Sequence, residues 1–385
     1  MEWVKKRTGL LVKSWCKDPE SGAMEQAWNL ADLPFAFRHI ALMPDAHQGY
    51  GMPIGGVMAT QGAIIPNCVG VDIGCGIRAV KTNFPCKDLN TDTIKSIMGK
   101  TREIIPVGFN HHENEQAWEG FDSAPDIRII QQELSAATKQ LGTLGGGNHF
   151  IELQESTEGN LWLMIHSGSR NFGYKIAKEY HNKAKELCER WYSCIPTPDL
   201  AFLPIGTHEA KEYYEAMNYA LAFAKENRRV MMARLINVVK ELIAMETILG
   251  IDIHHNYARF ENHFKKNLIV HRKGATSARE GEEGIIPGSQ GTCSYIVEGL
   301  GNPESFTSCS HGAGRTMSRK KARDTLDLEE TIKELDAKGV VHSIRNVADL
   351  DEAPGAYKEI DGVMEAQKDL VKIVTKLTPL GVIKG

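Results

Sequence analysis

Glycine clusters beside short apolar runs are the feature that most constrains this fold. The chain has 36 glycines among 385 residues, and much of this glycine falls at 49–56, 70–76, 142–147, 281–291 and 312–314. Short apolar or β-branched runs occupy residues 63–65, 161–165 and 268–270. Such runs, followed by glycine, are typical of strands that end in turns where the backbone approaches a ligand closely. The pattern predicts a strand-rich core with binding loops at strand ends.

The middle of the chain carries a different periodicity. Residues 174–192 and 209–245 repeat apolar side chains every three to four positions, which predicts two long amphipathic helices. Residues 318–337 predict a charged helix that is exposed on one face, and residues 110–126 and 193–207 are the most irregular. Strand-rich segments on both sides of long helices favour an α+β class over a doubly wound α/β fold.

The side chains best suited to bind metal are widely separated. Asp72 and Cys75 lie in the first half, His149 and His166 in the middle, and a His254–His255 pair about two thirds of the way along the chain. A site assembled from such distant segments requires one integrated domain rather than independent units. We therefore expect a single domain over residues 1–385, with a strand-rich core and peripheral long helices.

Composition excludes several classes of protein. Hydrophobic residues make up 42% and charged residues 24%, and the formal net charge is −4, which argues against a globally basic nucleic-acid binder but not against a local basic groove. None of the eight cysteines forms a CxxC pair, so zinc ribbons and thioredoxin-like sites are poor interpretations. The chain shows neither a signal-peptide core nor 18 consecutive apolar residues. These features predict a cytoplasmic protein with reduced cysteines.

Asp72 and Cys75 form the first candidate pair, in a glycine-rich turn after a strand-like stretch at 63–71. A hard carboxylate beside a soft thiolate suits a borderline divalent ion such as Mn²⁺, Zn²⁺ or Co²⁺. One thiolate can also bridge two ions. The alternative is a free buried cysteine beside an aspartate that caps a turn.

Two histidines occupy strand-like positions. If residues 149–153 form a strand, His149 faces away from Asn148, Phe150 and Glu152, so it can bind metal while they reach a neighbouring nucleotide. His166 ends an apolar run, and Arg170 follows it with a guanidinium suited to phosphate. The alternatives are a glycine-rich hairpin with a strand histidine, and a histidine at the core edge with a surface arginine.

His254 and His255 are adjacent, so in an extended segment they point to opposite faces and only one of them can enter the site. With one of these two, the chain offers five candidate ligands. Two divalent ions that share Cys75 would account for all five, and such ions stabilise attacking and leaving oxygens in phosphoryl transfer. One zinc ion with spare polar residues nearby is the alternative.

His311 is the candidate nucleophile. It precedes Gly312, Ala313 and Gly314, which leave its ring accessible, and an unprotonated imidazole can attack the α-phosphorus of a nucleotide. Arg315 and Arg319 would share one face at the start of a helix and contact phosphate. The glycine-rich stretch 284–291 could present backbone N–H groups to phosphate or base edges, or be a plain turn; it lacks the Gly-Lys-Ser/Thr of a Walker A loop.

The motifs at 72–76, 147–152, 166–170, 254–256 and 310–315, in this order and with these glycines, resemble the RtcB family of GTP-dependent RNA ligases from about residue 15 to residue 385. The resemblance implies joining of RNA 2′,3′-cyclic phosphate or 3′-phosphate ends to 5′-hydroxyl ends, in RNA repair or tRNA splicing. His311 would take GMP from GTP and pass it to the RNA 3′-phosphate, forming RNA-ppG. Two ions, expected to be Mn²⁺ with Zn²⁺ or Co²⁺ as possible occupants, would be held by Cys75, His149 and His166, and by Asp72, Cys75 and His255.

The resemblance also assigns roles to individual positions. His255 is the ligand of its pair because the family ligand directly precedes asparagine. Arg170, Arg315 and Arg319 would bind RNA phosphates. The terminal lysine would fold back onto the guanine nucleotide instead of fraying. The GTP or GMP site would comprise Asn148, Phe150, Glu152, Asn256, Pro287, Gly288, Ser289, Ser294, Gly312, Ala313, Gly314, Tyr357 and Lys384.

Asp45 and His47 are not taken as ligands, because five already suffice and the family places residues 44–49 near the RNA entrance. Gln290 stands where members commonly carry methionine, and Ala46 where valine is common. We expect a monomer that needs GTP and RNA and no membrane.

Two rival classes of protein would use the same residues differently. A two-metal phosphoesterase would form no covalent nucleotide, and a non-catalytic RNA-end binder would tolerate loss of His311.

Overall fold

The computed structural model describes all residues from Met1 to Gly385. Its helices are α1 (Ser21–Ala31), α2 (Pro66–Val69), α3 (Thr91–Ile104), α4 (Arg128–Gln140), α5 (Arg170–Arg190), α6 (His208–Leu242), α7 (Arg319–Thr325), α8 (Leu328–Ala337) and α9 (Ile360–Ala366). Its strands are β1 (Trp3–Lys6), β2 (Leu11–Ser14), β3 (Ala36–Tyr50), β4 (Met52–Thr60), β5 (Ala63–Ile64), β6 (Gly76–Pro85), β7 (Phe150–Ser156), β8 (Asn160–Ser167), β9 (Leu203–Pro204), β10 (Thr247–His254), β11 (Asn256–His263), β12 (Lys266–Lys273), β13 (Ala275–Ser277), β14 (Glu283–Ile286), β15 (Ser294–Gly299), β16 (Ser308–Ser310) and β17 (Val371–Lys384).

Two large sheets form the core. One has six strands in the order β1-β2-β3-β4-β12-β11, and the other has seven in the order β10-β6-β8-β7-β17-β15-β14. All neighbours in the seven-stranded sheet are antiparallel. Two-stranded pairings of β13 with β16 and of β5 with β9 complete the strand network. This strand-rich core with helices packed around it confirms the predicted α+β class.

The strand register brings distant residues to one end of the seven-stranded sheet. Gly76, which begins β6, pairs with His254, which ends β10. Phe150, which begins β7, pairs with both His166 near the end of β8 and Lys384 at the end of β17. Because antiparallel strands alternate in direction, starts and ends meet at the same edge. We call this end of the sheet, defined by these five residues, the rim.

Apolar packing curls the seven-stranded sheet. One face packs on α3 and α6 through a cluster that includes Leu163 and Leu235. The other face encloses a cluster that joins Ile251 of edge strand β10 to Ile285 of edge strand β14. Since residues of both edge strands share one apolar cluster, the sheet curves until its edges approach each other. This curvature places the five rim residues around one common space.

The two long helices predicted from apolar spacing are confirmed as α5 and α6. The Thr207 side chain accepts a hydrogen bond from the Ala210 backbone N–H and so begins α6. Residues Phe172 and Phe223 join these helices in a shared core. No helix in the structure combines the length and apolarity that a membrane crossing requires.

Two predictions of local structure were wrong. Residues 318–337 form two helices because Asp327 accepts a hydrogen bond from the Glu330 N–H, which caps α8 and separates it from α7. Residues 63–71 do not form one strand. Pro66 fits the first turn of a helix, and α2 follows the two-residue strand β5.

Candidate metal and nucleotide site

Five side chains of metal-binding type converge beside the rim. Cys75 Sγ lies 3.2 Å from His166 Nε2 and 3.4 Å from His149 Nε2. His255 Nε2 lies 3.4 Å from His166 Nε2, and Asp72 Oδ2 lies 3.1 Å from His149 Nε2. Donor atoms placed about 2.1 Å from a tetrahedral ion are about 3.4 Å apart. The donor spacing in this cluster therefore fits metal coordination.

Hydrogen bonds on the far side of two rings orient the cluster. The His149 Nδ1–H donates to the Leu144 carbonyl at 3.0 Å, and the His166 Nδ1–H donates to the Asn148 carbonyl at 3.1 Å. Each bond fixes the tautomer in which Nε2 is unprotonated. The Nε2 lone pair then faces the other candidate ligand atoms of the cluster, as in metal-binding histidines generally. Both rings are therefore held ready as ligands.

Burial sets the protonation of the cluster. It lowers the pKa of both His166 and His255 well below the ordinary value, so these imidazoles are neutral and able to donate electron pairs. Burial, reinforced by the Asp72 carboxylate, raises the pKa of the Cys75 thiol well above its ordinary value. A bound divalent ion removes this proton, because the thiolate is the ligand form. The donor set thus fits a metal ion and is poorly suited to remain without one.

The two proposed ligand sets differ in how tightly they are gathered. The ligand atoms of Cys75, His149 and His166 all lie within 4.8 Å of one another. Asp72 and His255 extend this trio on two different sides. A Cβ at Gly168 would lie 2.2 Å from Asp72 Oδ1, so only glycine permits the carboxylate to occupy this position.

The two adjacent histidines point to different surroundings. His255 enters the cluster, whereas the His254 Nδ1 lies 3.1 Å from the Gly74 carbonyl and 3.2 Å from an Arg228 guanidinium nitrogen. His254 therefore supports the turn before β6 and takes no part in the cluster.

A cavity of about 830 Å³ opens beside the cluster. Asp72, Cys75, His166 and His255 form part of its wall. Twelve of the thirteen expected nucleotide-site residues also line it: Asn148, Phe150, Glu152, Asn256, Pro287, Gly288, Ser289, Gly312, Ala313, Gly314, Tyr357 and Lys384. Ser294 stands behind the wall, where its hydroxyl accepts a hydrogen bond from the Gly288 N–H at 3.2 Å.

The three arginines occupy different positions. Arg315 and Arg319 line the cavity. Arg170 lies behind the metal cluster, where a guanidinium nitrogen is 3.2 Å from His149 Nδ1. The expectation that Arg315 begins a helix was wrong, because α7 starts at Arg319 and Arg315 instead forms a β-bridge with Tyr357.

His311 forms another part of the cavity wall, directly after β16. Its Nδ1 lies 2.6 Å from Asp45 Oδ2, and its backbone N–H donates to the same oxygen at 3.1 Å. Asp45 is fully buried, and the His311 and His255 ring centroids are 4.8 Å apart. Because a carboxylate accepts the Nδ1–H, the His311 Nε2 keeps its lone pair, which is the arrangement of an activated nucleophile.

Sequence reasoning missed the contact of Asp45 with His311. The family resemblance implies a place near the RNA entrance for residues 44–49, and the five candidate ligands suffice without them. The only local signal is an acidic residue two positions after the buried apolar run at 40–43 of β3. An isolated acid in such a strand needs a buried partner, but the sequence does not name that partner.

Glu352 is a second residue that the sequence did not single out. Its carboxylate pairs with Arg315 at 3.2 Å, Arg319 at 3.1 Å and Lys384 at 3.7 Å, and it accepts a hydrogen bond from the Tyr357 hydroxyl. Glu352 thus gathers three cations and a phenol at one wall of the cavity.

Lys384 is part of the seven-stranded sheet. Lys384 ends β17, and its Nζ lies 5.6 Å from the centre of the Phe150 ring. Burial lowers the pKa of Lys384, although the charges of Glu352 and Glu152 oppose this shift. A lysine in this setting is an ordered part of the cavity.

Comparison with known proteins decides the family. The family model described as tRNA-splicing ligase RtcB matches residues 26–127 and 117–385. An Escherichia coli protein named RNA-splicing ligase RtcB is 39% identical and covers 97% of each chain. The chain belongs to the RtcB family. The tRNA-splicing ligase RtcB of Thermococcus kodakarensis is 32% identical over 96% of this chain and 92% of its own, and that of Pyrobaculum aerophilum is 33% identical over 94% and 91%.

The RtcB resemblance inferred from the motifs is therefore confirmed. Two positions that depart from the family pattern take part in local contacts in this RtcB chain. Gln290 is buried, and its side-chain amide donates to the Glu352 carbonyl at 2.9 Å. The Ala46 carbonyl accepts a hydrogen bond from the Lys358 ammonium at 2.9 Å.

Proposed function

We propose that this chain is a GTP-dependent RNA ligase that joins 2′,3′-cyclic phosphate or 3′-phosphate ends to 5′-hydroxyl ends. The observation that carries the proposal is the Asp45–His311 pair, in which His311 lines the same cavity as Cys75, His166 and His255. Family membership and the ligase names of the relatives support the same reaction class.

The first step is loading of GMP onto His311. The Nε2 lone pair attacks the α-phosphorus of GTP, a nitrogen–phosphorus bond forms, and the bond to the β-phosphate oxygen breaks to release pyrophosphate. Asp45 holds the Nδ1–H throughout and stabilises the positive charge that develops on the ring. The pair at 2.6 Å provides this support before GTP binds.

The next steps seal the RNA. Water opens a cyclic phosphate to a 3′-phosphate, whose oxygen attacks the phosphorus held by His311. The nitrogen–phosphorus bond breaks, His311 returns to its neutral form, and RNA-ppG results. The 5′-hydroxyl then attacks the RNA 3′-phosphorus, and GMP leaves as the phosphodiester bond forms.

The Cys75 cluster would hold two divalent ions. Cys75, His149 and His166 would bind one, and Asp72, Cys75 and His255 the other. Mn²⁺ is the proposed ion, and Zn²⁺ or Co²⁺ also suit a mixed thiolate, imidazole and carboxylate set. When bound, these ions would supply Lewis-acid stabilisation of phosphate charge.

The remaining cavity residues would recognise guanylate and RNA. Glu152 and Lys384 line the cavity from β7 and β17, and their carboxyl and amino groups suit the donor and acceptor groups of a guanine base. Arg315 and Arg319 line the same cavity and would bind RNA phosphates. Arg170 would act on RNA phosphates from its position beside His149.

Label transfer tests the proposal. Wild-type protein incubated with Mn²⁺ should retain label from α-³²P GTP and none from γ-³²P GTP, because the β- and γ-phosphates leave as pyrophosphate. His311→Ala should retain no label. His208→Ala, whose side chain is 80% exposed, is the matched control and should behave as wild type.

RNA assays complete this test. Wild type should join a 3′-phosphate strand to a 5′-hydroxyl strand only when GTP is present. Phosphate release without any labelled protein would instead indicate a two-metal phosphoesterase. RNA binding without labelling or ligation would indicate a non-catalytic RNA-end binder.

A further inference from the structure

Lys358 holds the backbone on both sides of Asp45. Its Nζ donates to the Pro44 carbonyl at 3.0 Å and to the Ala46 carbonyl at 2.9 Å, and it lies 3.4 Å from Cys16 Sγ. An ammonium carries three donors, and these three partners use all of them. None of the partners is a carboxylate, so the side chain does not serve as half of an ion pair.

The same residue is bonded to the segment that carries His311. The Lys358 backbone N–H donates to the Gly314 carbonyl at 2.9 Å. A Cβ at Gly314 would lie 2.4 Å from the Asp45 carbonyl oxygen, so glycine is needed there for the two segments to approach. Lys358 is therefore bonded to both residues that flank Asp45 and to Gly314, three residues after His311.

The β-ladder between β3 and β4 is interrupted around Asp45. The register of β3 with β4 shifts between Leu42 and His47, and residues 44–46 lie inside this interruption. Backbone groups at such irregularities lose regular strand partners and depend on other donors. The Lys358 ammonium supplies two such donors, one on each side of Asp45.

We propose that Lys358 is a positioning residue for His311 and acts through Asp45. This inference rests on the proposed function. By fixing both carbonyls that flank Asp45, Lys358 keeps the carboxylate in line with His311 Nδ1 and so keeps Nε2 aimed into the cavity. The Cys75 cluster is built from other segments of the chain, the first with Asp72 and the last with His255, and it does not depend on the hydrogen bonds of Lys358.

The test compares two partial reactions in Lys358→Met, which keeps an unbranched stem and removes every donor. The first is loading of GMP from GTP, which needs His311. The second is sealing of RNA that already carries 3′-ppG, which does not. Loading should slow by about 10-fold to 100-fold, because small misplacements of reacting groups slow reactions to this extent. The KM for GTP, the metal content and the sealing rate should stay near wild-type values.

Matched variants complete the design. Lys372→Met removes an exposed lysine of β17 and should leave both reactions unchanged. Adding Lys358→Met to Asp45→Asn should slow loading no further than Asp45→Asn alone, because the two residues act as one unit. Lys358→Arg keeps the charge and the hydrogen-bond donors and should recover part of the loading rate. If Lys358→Met does not fold, Lys358→Arg replaces it in both assays.

Three results would overturn the inference. The first is that Lys358→Met slows loading and sealing equally, and the second is that Lys358→Met loads at the wild-type rate. The third is that the effects of Lys358→Met and Asp45→Asn on the loading rate are fully additive in the double variant. Absence of GMP on the wild-type protein would contradict the proposed function itself, which distinguishes the two failures.

Discussion

At the scale of single residues, Asp45 determines the chemistry available to His311. Its buried carboxylate accepts hydrogen bonds from both the ring and the backbone of His311. The ring therefore has one defined tautomer and one defined direction. A histidine without this partner would be divided between its two tautomers.

Asp45→Asn should slow GMP loading by about 100-fold to 10,000-fold. The amide of asparagine has no negative charge, and its NH₂ group can donate to Nδ1 and stabilise the wrong tautomer. Single-turnover labelling with GTP measures the rate. Asp88→Asn, at an exposed site, is the control. Loading by Asp45→Asn at the Asp88→Asn rate would show that the contact is not used.

Cys75→Ala should remove metal and abolish both GMP loading and ligation, because the thiolate is assigned to both ions. Metal content of the purified protein is the measurement. Cys194→Ala, at an exposed cysteine, is the control and should keep its metal. Two ions still bound to Cys75→Ala would contradict the bridging role.

Residue type and spacing predicted part of the cluster of candidate ligands. Cysteine and histidine beside glycine-rich turns carry a recognisable signal, and the structure gathers Cys75, His149 and His166 into one cluster. Asp45 and Glu352 carry no such signal. Their roles depend on contacts with residues that are distant along the chain, His311 for Asp45 and Lys384 for Glu352.

At the scale of elements, β17 places Lys384 at the wall of the cavity. It pairs with β7 on one side and β15 on the other, in the interior of the seven-stranded sheet. Lys384 is thereby fixed opposite Phe150. Local sequence alone predicts a frayed segment at this position. The pairing of β17 with β7 joins residues more than 200 positions apart, and the sequence of neither strand indicates its partner.

Lys384→Met should raise the KM for GTP by about 10-fold, which corresponds to about 1.4 kcal/mol and lies near the value of one hydrogen bond to a charged group. The melting temperature should change little, since Glu352 keeps its two arginine partners. Lys372→Met, on the exposed side of the same strand, is the control. An unchanged KM would remove Lys384 from the nucleotide site.

At the scale of the whole molecule, the site draws on both large sheets. Asp45 belongs to the six-stranded sheet, while His166 and Lys384 belong to the seven-stranded sheet. The wide spacing of candidate ligands predicted such an integrated arrangement. The strand order could not be predicted, because apolar periodicity identifies a strand but not its neighbour.

The overall charge of −4 means that any attraction for RNA is local. Arg319→Gln should weaken binding of a 3′-phosphate RNA and reduce the slope of log K against log salt by about 1. GMP loading should persist. Arg229→Gln, on the exposed side of α6, is the control. Loss of GMP loading equal to the loss of RNA binding would show that Arg319 serves the nucleotide instead.

The position of the covalent nucleotide tests the central claim most directly. Wild-type protein should be loaded with GTP and Mn²⁺, kept at alkaline pH, digested and mapped by mass spectrometry. We predict GMP on His311 alone, in an adduct that is labile in acid and stable in alkali, as phosphoramidates are. GMP on Lys384, or on any residue other than His311, would contradict the account.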